Sequence, residues 1–247
     1  MKDSHAYPGS ELELFSQAVN WKGYLRDQIR GFLGPAVLEV GAGIGATTTA
    51  LCRGEQERWV CLEPDPRMAD GLRSRLRDRQ LPACCEVAEG TTADLGDAGR
   101  DAGAFDTVLY VDVLEHIEED QEELRRASGL LAPGGHLVVL APAHSFLFTE
   151  FDRAIGHFRR YGRSDLVGLE PPGLELAEAR YLDSVGLFAS LGNRLLLRSA
   201  MPTPSQIWLW DRVMVPASRI TDRLTLGHLG KSVLVAWRSP PLDRVRR

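Results

Sequence analysis

Val37-Leu38-Glu39-Val40-Gly41-Ala42-Gly43-Ile44-Gly45-Ala46-Thr47-Thr48 is an apolar, β-branched run closed by three spaced glycines and followed by a segment able to begin a helix. It reads as a buried strand, a tight turn and a helix start. Glycine in the turn permits positive φ and lets a ligand come close to the backbone. The helix start offers N–H groups that have no partner within the helix. Beyond it, Val60-Cys61-Leu62-Glu63 reads as a second strand ending on a carboxylate, placed to accept both hydroxyls of a ribose. The two strands together predict a site for an adenosine-containing cofactor. The glycines alone leave its kind open, because Gly41-x-Gly43-x-x-Ala46 also satisfies the looser dinucleotide pattern.

Working outward, Leu12, Phe15, Val19, Trp21, Leu25, Ile29 and Leu33 are spaced as on a helix leading into the first strand at Ala36 to Val40. Helices are expected at Ala46 to Cys52, Met68 to Arg79 and Glu118 to Leu131, the last with its acids early and its arginines late, as the helix dipole favours. Further strands are expected at Trp59 to Leu62, Cys84 to Ala88, Phe105 to Val111 and His136 to Ala141, with Ala132-Pro133-Gly134-Gly135 stopping the helix before the last of these. Strands alternating with helices imply an α/β fold with a mostly parallel sheet. Two more strands, Leu174 to Tyr181 and Ser232 to Trp237, enclose a helical stretch at about 183–228 that contains Leu187, Phe188, Leu191, Leu195 and Ile207-Trp208-Leu209-Trp210. The stretch reads as a cap packed on the core or on a second subunit. The expected layout is one domain over 1–247: a helical lid over 1–35, a cofactor-binding core over 36–170, and C-terminal strands with the cap over 171–247.

With 247 residues the chain can bury one large α/β core. A net charge of −5 argues against a general nucleic-acid binder. No apolar stretch is long enough to span a bilayer, and the first residues lead into no apolar signal region. Cys52, Cys61, Cys84 and Cys85 lack C-x-x-C spacing and read as reduced thiols, not as disulfides or a zinc site. A cytoplasmic protein is expected.

Three features bear on the cofactor. Glu39, two residues before the first glycine, suits a cationic ligand and would repel a pyrophosphate. No Lys-Ser/Thr follows the glycines, so this is not a triphosphate loop. Asp112-Val113-Leu114-Glu115-His116 adds acids at the carboxyl edge of the sheet, where open α/β sheets bind ligands. The glycine loop, Glu63, the Asp112–His116 segment and Pro133-Gly134-Gly135, in this order, resemble the class I S-adenosylmethionine-dependent methyltransferases over about residues 12–165. The resemblance implies a Rossmann-like, doubly wound seven-stranded sheet, the helical stretch being inserted as a cap near the C-terminus. It implies S-adenosylmethionine as cofactor, held by Trp21, Glu39, Gly41, Ala42, Gly43, Glu63, Pro64, Gly90, Thr91, Asp112 and Val113. Among these, Glu39, Gly41 and Gly43 would line the methionine end, Glu63 the ribose, Gly90 and Thr91 the adenine, and Asp112 the sulfonium or amino group. Asn20 and Trp21 would close over the methionine end, or Trp21 would belong to the core.

Methyl transfer requires alignment and permits a general base. Candidates follow the fifth strand: His157 first, since imidazole titrates near neutrality, then His144, with Tyr161 beside Arg159, Arg160 and Arg163. Each histidine could equally be structural, His116 could cap a helix, and the arginines could pair with Asp152 and Asp165 or hold an anionic acceptor. His5 and Tyr7 could fold over the acceptor. Asp112, Glu115 and His116 lack a cluster of hard oxygen ligands, so no metal is expected. The expected activity is methylation of an oxygen or nitrogen of a small molecule: a secondary metabolite, heterocycle or sugar. A homodimer, a nicotinamide-dependent oxidoreductase and a non-catalytic partner protein of the same fold stay open.

Overall fold

β1 (Ala36–Val40) is the seed of the sheet, with Val37 and Leu38 fully buried on opposite faces, as expected of a central parallel strand. The computed structural model describes residues 10–97, 101–192 and 202–241. On one side β1 pairs in parallel with β2 (Arg58–Glu63), and β2 with β3 (Cys85–Glu89). On the other it pairs with β4 (Phe105–Val111), and β4 with β5 (Leu131–Pro142). An antiparallel hairpin of β6 (Glu175–Leu182) and β7 (Ser232–Arg238) completes the seven-stranded order β3-β2-β1-β4-β5-β7-β6. The chain thus runs outward from β1 and returns to its other side at β4. The sheet's switch point lies between the carboxyl ends of these two strands, the place where such sheets open a ligand crevice. The expected doubly wound, seven-stranded sheet is what forms.

Period-2 alternation divides the core in two. Val37, Trp59, Cys61 and Leu109 face α2 (Val19–Ile29), α3 (Ala46–Leu51) and the cap. Leu38, Val60, Val108 and Tyr110 face α6 (Asp120–Leu130), with Leu95 of α5 (Thr92–Asp97) and Leu166 of α8 (Arg163–Val167) packed in the same layer. The lead-in is α1 (Ser10–Ser16), α2 and a 3-10 turn, Arg30–Phe32, in place of one helix. His5, Tyr7 and Leu195 lie outside the described residues.

At Pro133-Gly134-Gly135 the structure departs from the sequence expectation. β5 begins at Leu131, paired with Phe105, and the register shifts between Phe105 and Thr107, so this stretch lies inside the strand and not before it. A Cβ on Gly135 would stand 2.9 Å from the carbonyl oxygens of Ala132 and Asp106, so glycine is required where the two strands cross the irregularity.

The cap consists of α9 (Ser184–Gly192), α10 (Pro204–Leu209), a π-turn (Trp210–Met214) and α11 (Val215–Leu224). Buried aspartates pin it to the lead-in helix. Asp211 accepts from the Trp21 and Asn20 amides, and Asp222 from the Tyr24 hydroxyl and the Asp183 and Ser184 amides. Asp183 accepts from the Trp210 indole. Within the aromatic patch Ile207 and Trp210 turn inward while Trp208 and Leu209 are exposed. The cysteines are free thiols, and the fold gathers Cys52, Cys84 and Cys85, with Cys52 Sγ 3.5 Å from Cys84 Sγ and 3.7 Å from Cys85 Sγ.

Candidate active site

The glycine turn closes onto β2. The Gly41 and Ala42 amides donate to the Leu62 carbonyl at 2.8 and 3.1 Å. Gly41 has φ +67°, and a Cβ there would stand 2.7 Å from Val113, so the turn after β1 is pressed against the segment after β4. Glu63 locks the same turn from below. Its Oε2 accepts from the Gly43 amide at 2.7 Å and its Oε1 from the Asp65 amide at 2.9 Å. Burial pushes the Glu63 pKa up and the two amides oppose it. Each carboxylate oxygen keeps a further lone pair that a hydroxyl could use. Pro64 follows, leading into α4 (Pro66–Arg77).

Glu39 sits on the same face as Val37, and strand alternation turns it away from the crevice. Its Oε2 accepts from Thr48 Oγ1 and Trp59 Nε1, both at 2.7 Å, and burial pushes its pKa up to about 7. The acid expected to line the methionine end therefore ties α3 to β2 beneath the turn. Gly90 follows β3, its amide donating to the Glu63 carbonyl, and Asp94 accepts from the Thr91 amide and hydroxyl.

Asp112 has φ +54° and ends β4 at the switch point. The residue is exposed to solvent at this edge. The surrounding protein pushes its pKa up, opposed by His157, Lys231, Arg160 and Lys22. The two lysines carried no sequence signal. Lys22 donates to the Phe15 and Ser16 carbonyls, and burial lowers its pKa to about 8. Lys231 lies 3.9 Å from the Trp210 ring centre and 3.7 Å from Asp183.

Beside Asp112, a 3-10 turn (Leu114–His116) brings Glu115 and His116 against His157. The His116 and His157 rings meet edge to face at 4.5 Å, and His157 Nε2 lies 3.7 Å from Glu115 Oε1. His157 Nδ1 is held by Asp152 Oδ1 at 3.0 Å. Asp152 is wholly buried at the start of α7 (Glu150–Ala154), where it caps Thr149 and also takes two bonds from Arg160. Although burial alone would raise it, His157 and Arg160 hold its pKa well below the usual carboxylate range. Burial pushes Glu115 far up, with Asp112 and Asp152 adding to the shift, and lowers His116 to about 4.

Three expectations need correction. Tyr161 is no catalyst by geometry: its buried hydroxyl donates to Asp120 Oδ2 at 2.7 Å, and burial with this bond raises its pKa far above the usual range. His144 Nε2 bonds the Gly230 carbonyl at 2.9 Å while its ring stacks on Phe146 and Tyr181, which makes it a brace between β5 and the hairpin. Trp21 is 8% exposed and packs on Trp210 and Tyr24, so its indole belongs to the core and does not close over a ligand. Arg159 and Arg160 are taken by Asp120 and Asp152.

Residues 38–137 match the family model of a methyltransferase domain. Norajmaline N-methyltransferase of Rauvolfia serpentina is 27% identical over 114 residues, 44% of this chain and 36% of that protein. Ubiquinone biosynthesis O-methyltransferase of Cronobacter sakazakii is 26% identical over 116 residues, 47% of this chain and 45% of that protein. The chain spans less than half the length of these two relatives. A SAM-dependent methyltransferase from Archaeoglobus fulgidus has the same fold, with a TM-score of 0.62 at 14% identity over 93% of this chain and 97% of that one.

Proposed function

We propose that this chain, whose residues 38–137 make it a member of the class I S-adenosylmethionine-dependent methyltransferases, methylates an oxygen or nitrogen of a small-molecule acceptor. The observation that carries the reading is the meeting of the β1 turn and the β4 edge at the switch point, where Val113 presses on Gly41. The residues fit the cofactor: a turn free of side chains, Glu63 with spare lone pairs for ribose hydroxyls, and Asp112 as a carboxylate for a cationic end. Gly90 and Thr91 would border the adenine, and Ala42 and Pro64 the ribose side. S-adenosylmethionine supplies an activated methyl group, and displacement is in line, so the protein's work is alignment.

His157, first choice for a base, has Nε2 aimed at Glu115. Acceptor activation is therefore assigned to Glu115, His116 and His157 as a unit. Phe146 and Phe158, each 51% exposed, flank this edge and suit an acceptor with a flat apolar part. The net charge of −5 favours a small molecule over nucleic acid. The reading includes a cytoplasmic location and a homodimer, which sedimentation of the purified chain checks. Among the described residues no helix is long and apolar enough to cross a membrane.

Isothermal titration with S-adenosylmethionine and with NAD tests the reading. One S-adenosylmethionine per chain and no NAD is expected; the reverse overturns it. Asp112→Asn should weaken S-adenosylmethionine binding by about 10- to 100-fold, the scale of a charge-assisted hydrogen bond of about 1.5–3 kcal/mol.

A further inference from the structure

We propose that Glu115, His116 and His157 bind one divalent transition cation at the open end of β4. The proposal deepens the reading above and rests on it only for what the ion would do. Its starting point is an unpaired carboxylate. Glu115 is 0% exposed, and its oxygens have no hydrogen-bond partner beyond the amide of the same residue. A buried carboxylate without partners is costly to hold in its charged form, and a cation removes that cost. Nearby acids in this protein do not share the problem: Glu39, Glu63, Asp120 and Asp152 all accept hydrogen bonds.

The neighbours of Glu115 have the character of ligands. One donor atom from each of Glu115, His116 and His157 lies within 4.8 Å of the others, and the Glu115–His157 pair is at 3.7 Å. Ligand atoms about 2.1 Å from a shared ion stand roughly 3 to 3.5 Å apart, so small side-chain rotations suffice. His157 already has the outer support such ligands use, a carboxylate on Nδ1 that leaves Nε2 facing the cluster. His116 is steadied by a hydrogen bond to the Gly156 backbone.

The charge balance points the same way. Glu115, Asp112 and Asp152 bring three acids together, and Arg160, which acts on all three, is committed to Asp152. Lys231 is engaged by Asp183 and the Trp210 ring, and Lys22 by backbone carbonyls. Two imidazoles and one carboxylate favour manganese, iron, cobalt or zinc over magnesium or calcium, which prefer all-oxygen shells. The sequence expectation of no metal considered Asp112, Glu115 and His116 alone; His157, far away in the chain, supplies the second imidazole. A cation here would bind an acceptor hydroxyl and ease loss of its proton to solvent. The oxygen lone pair then forms the new bond to the methyl carbon, while the pair of the breaking carbon–sulfur bond stays on sulfur.

The test is titration of the chelator-stripped chain with Co²⁺, read by visible absorption, by bound cobalt per chain and by thermal unfolding. One Co²⁺ per chain and a raised Tm are expected in the wild type. Glu115→Gln, His116→Ala and His157→Ala, each retained only if it unfolds cooperatively, should bind at least tenfold more weakly. No stoichiometric Co²⁺ in the wild type overturns the proposal. Binding that survives in the folded variants overturns it too, as does an intense sulfur-to-metal band, which would place the ion at Cys52, Cys84 and Cys85. Isothermal titration with S-adenosylmethionine on the same stripped chain separates the two readings. Cofactor binding without cobalt binding removes the metal and leaves methyl transfer; cobalt binding without cofactor binding does the opposite.

Discussion

Along β1 and β2 the buried acids are held by the chain itself, and just beyond β4 one of them is not. Glu39 is 2% exposed and receives bonds from Thr48 and Trp59, and Glu63, 5% exposed, receives two backbone amides. Glu115 is as deeply buried and receives none from any other residue. The difference separates frame from site. The first region is complete and holds a turn in a single shape. The second has its outer supports in place, Asp152 on His157 above all, around a buried carboxyl group that no other residue hydrogen-bonds.

Removing the supports of the second region should break this contrast most strongly. Asp152→Asn leaves the partly exposed Arg160 with its charge unpaired, and should cost about 3 kcal/mol in chemical unfolding. The Asp152 pKa is depressed when folded, from an ordinary 3.8. Its stabilisation is therefore complete above about pH 4 and is lost as pH falls below that. The variant should show a flatter acid limb than the wild type; an unchanged limb would remove Asp152 from the account.

In the first region the sign is opposite. Glu39 has its pKa raised to about 7 from 4.5, so charging it penalises the folded state. Wild-type stability should decline as pH rises from about 4.5 to 7 on this account and then level off. Glu39→Gln keeps an acceptor for Thr48 and Trp59 and removes the charge. It should gain about 1–2 kcal/mol above pH 7 and little at pH 4.5, because burying a charge without full pairing is what it relieves. Equal stability of the two proteins at pH 8 would contradict this.

The smallest effect is expected where the structure demoted a candidate. Tyr161→Phe removes one neutral-to-charged hydrogen bond to Asp120, which keeps Arg159, and should cost about 1 kcal/mol. The maximal rate should stay within about twofold; a large loss of rate with unchanged stability would restore the tyrosine to catalysis.

Legibility in the sequence followed range along the chain. The β1 turn, the strand ending on Glu63 and the parallel strands were readable because alternation and glycine spacing are local backbone patterns. Pro133-Gly134-Gly135 was misread as a stop because an irregularity within a strand depends on its partner, here Phe105 and Asp106. Trp21, His144 and Tyr161 had the right chemistry for a site and were placed by packing against Trp210, Tyr181 and Asp120. Lys22 and Lys231 could not be found by pattern, since nothing near them in sequence marks their approach to Asp112.

The sequence alone determined the α/β class, the glycine turn and the acids that follow β2 and β4, since short-range periodicity dictates strands, turns and their ends. Only the tertiary structure decided what each acid does. Thr48 on α3 and Trp59 on β2 hold Glu39 beneath the turn, and the amides of Gly43 and Asp65 clamp Glu63. The return of the chain at residues 150–160 brings Asp152 and His157 to Glu115, and the partners a buried charge finds across such distances decide whether it is frame or site.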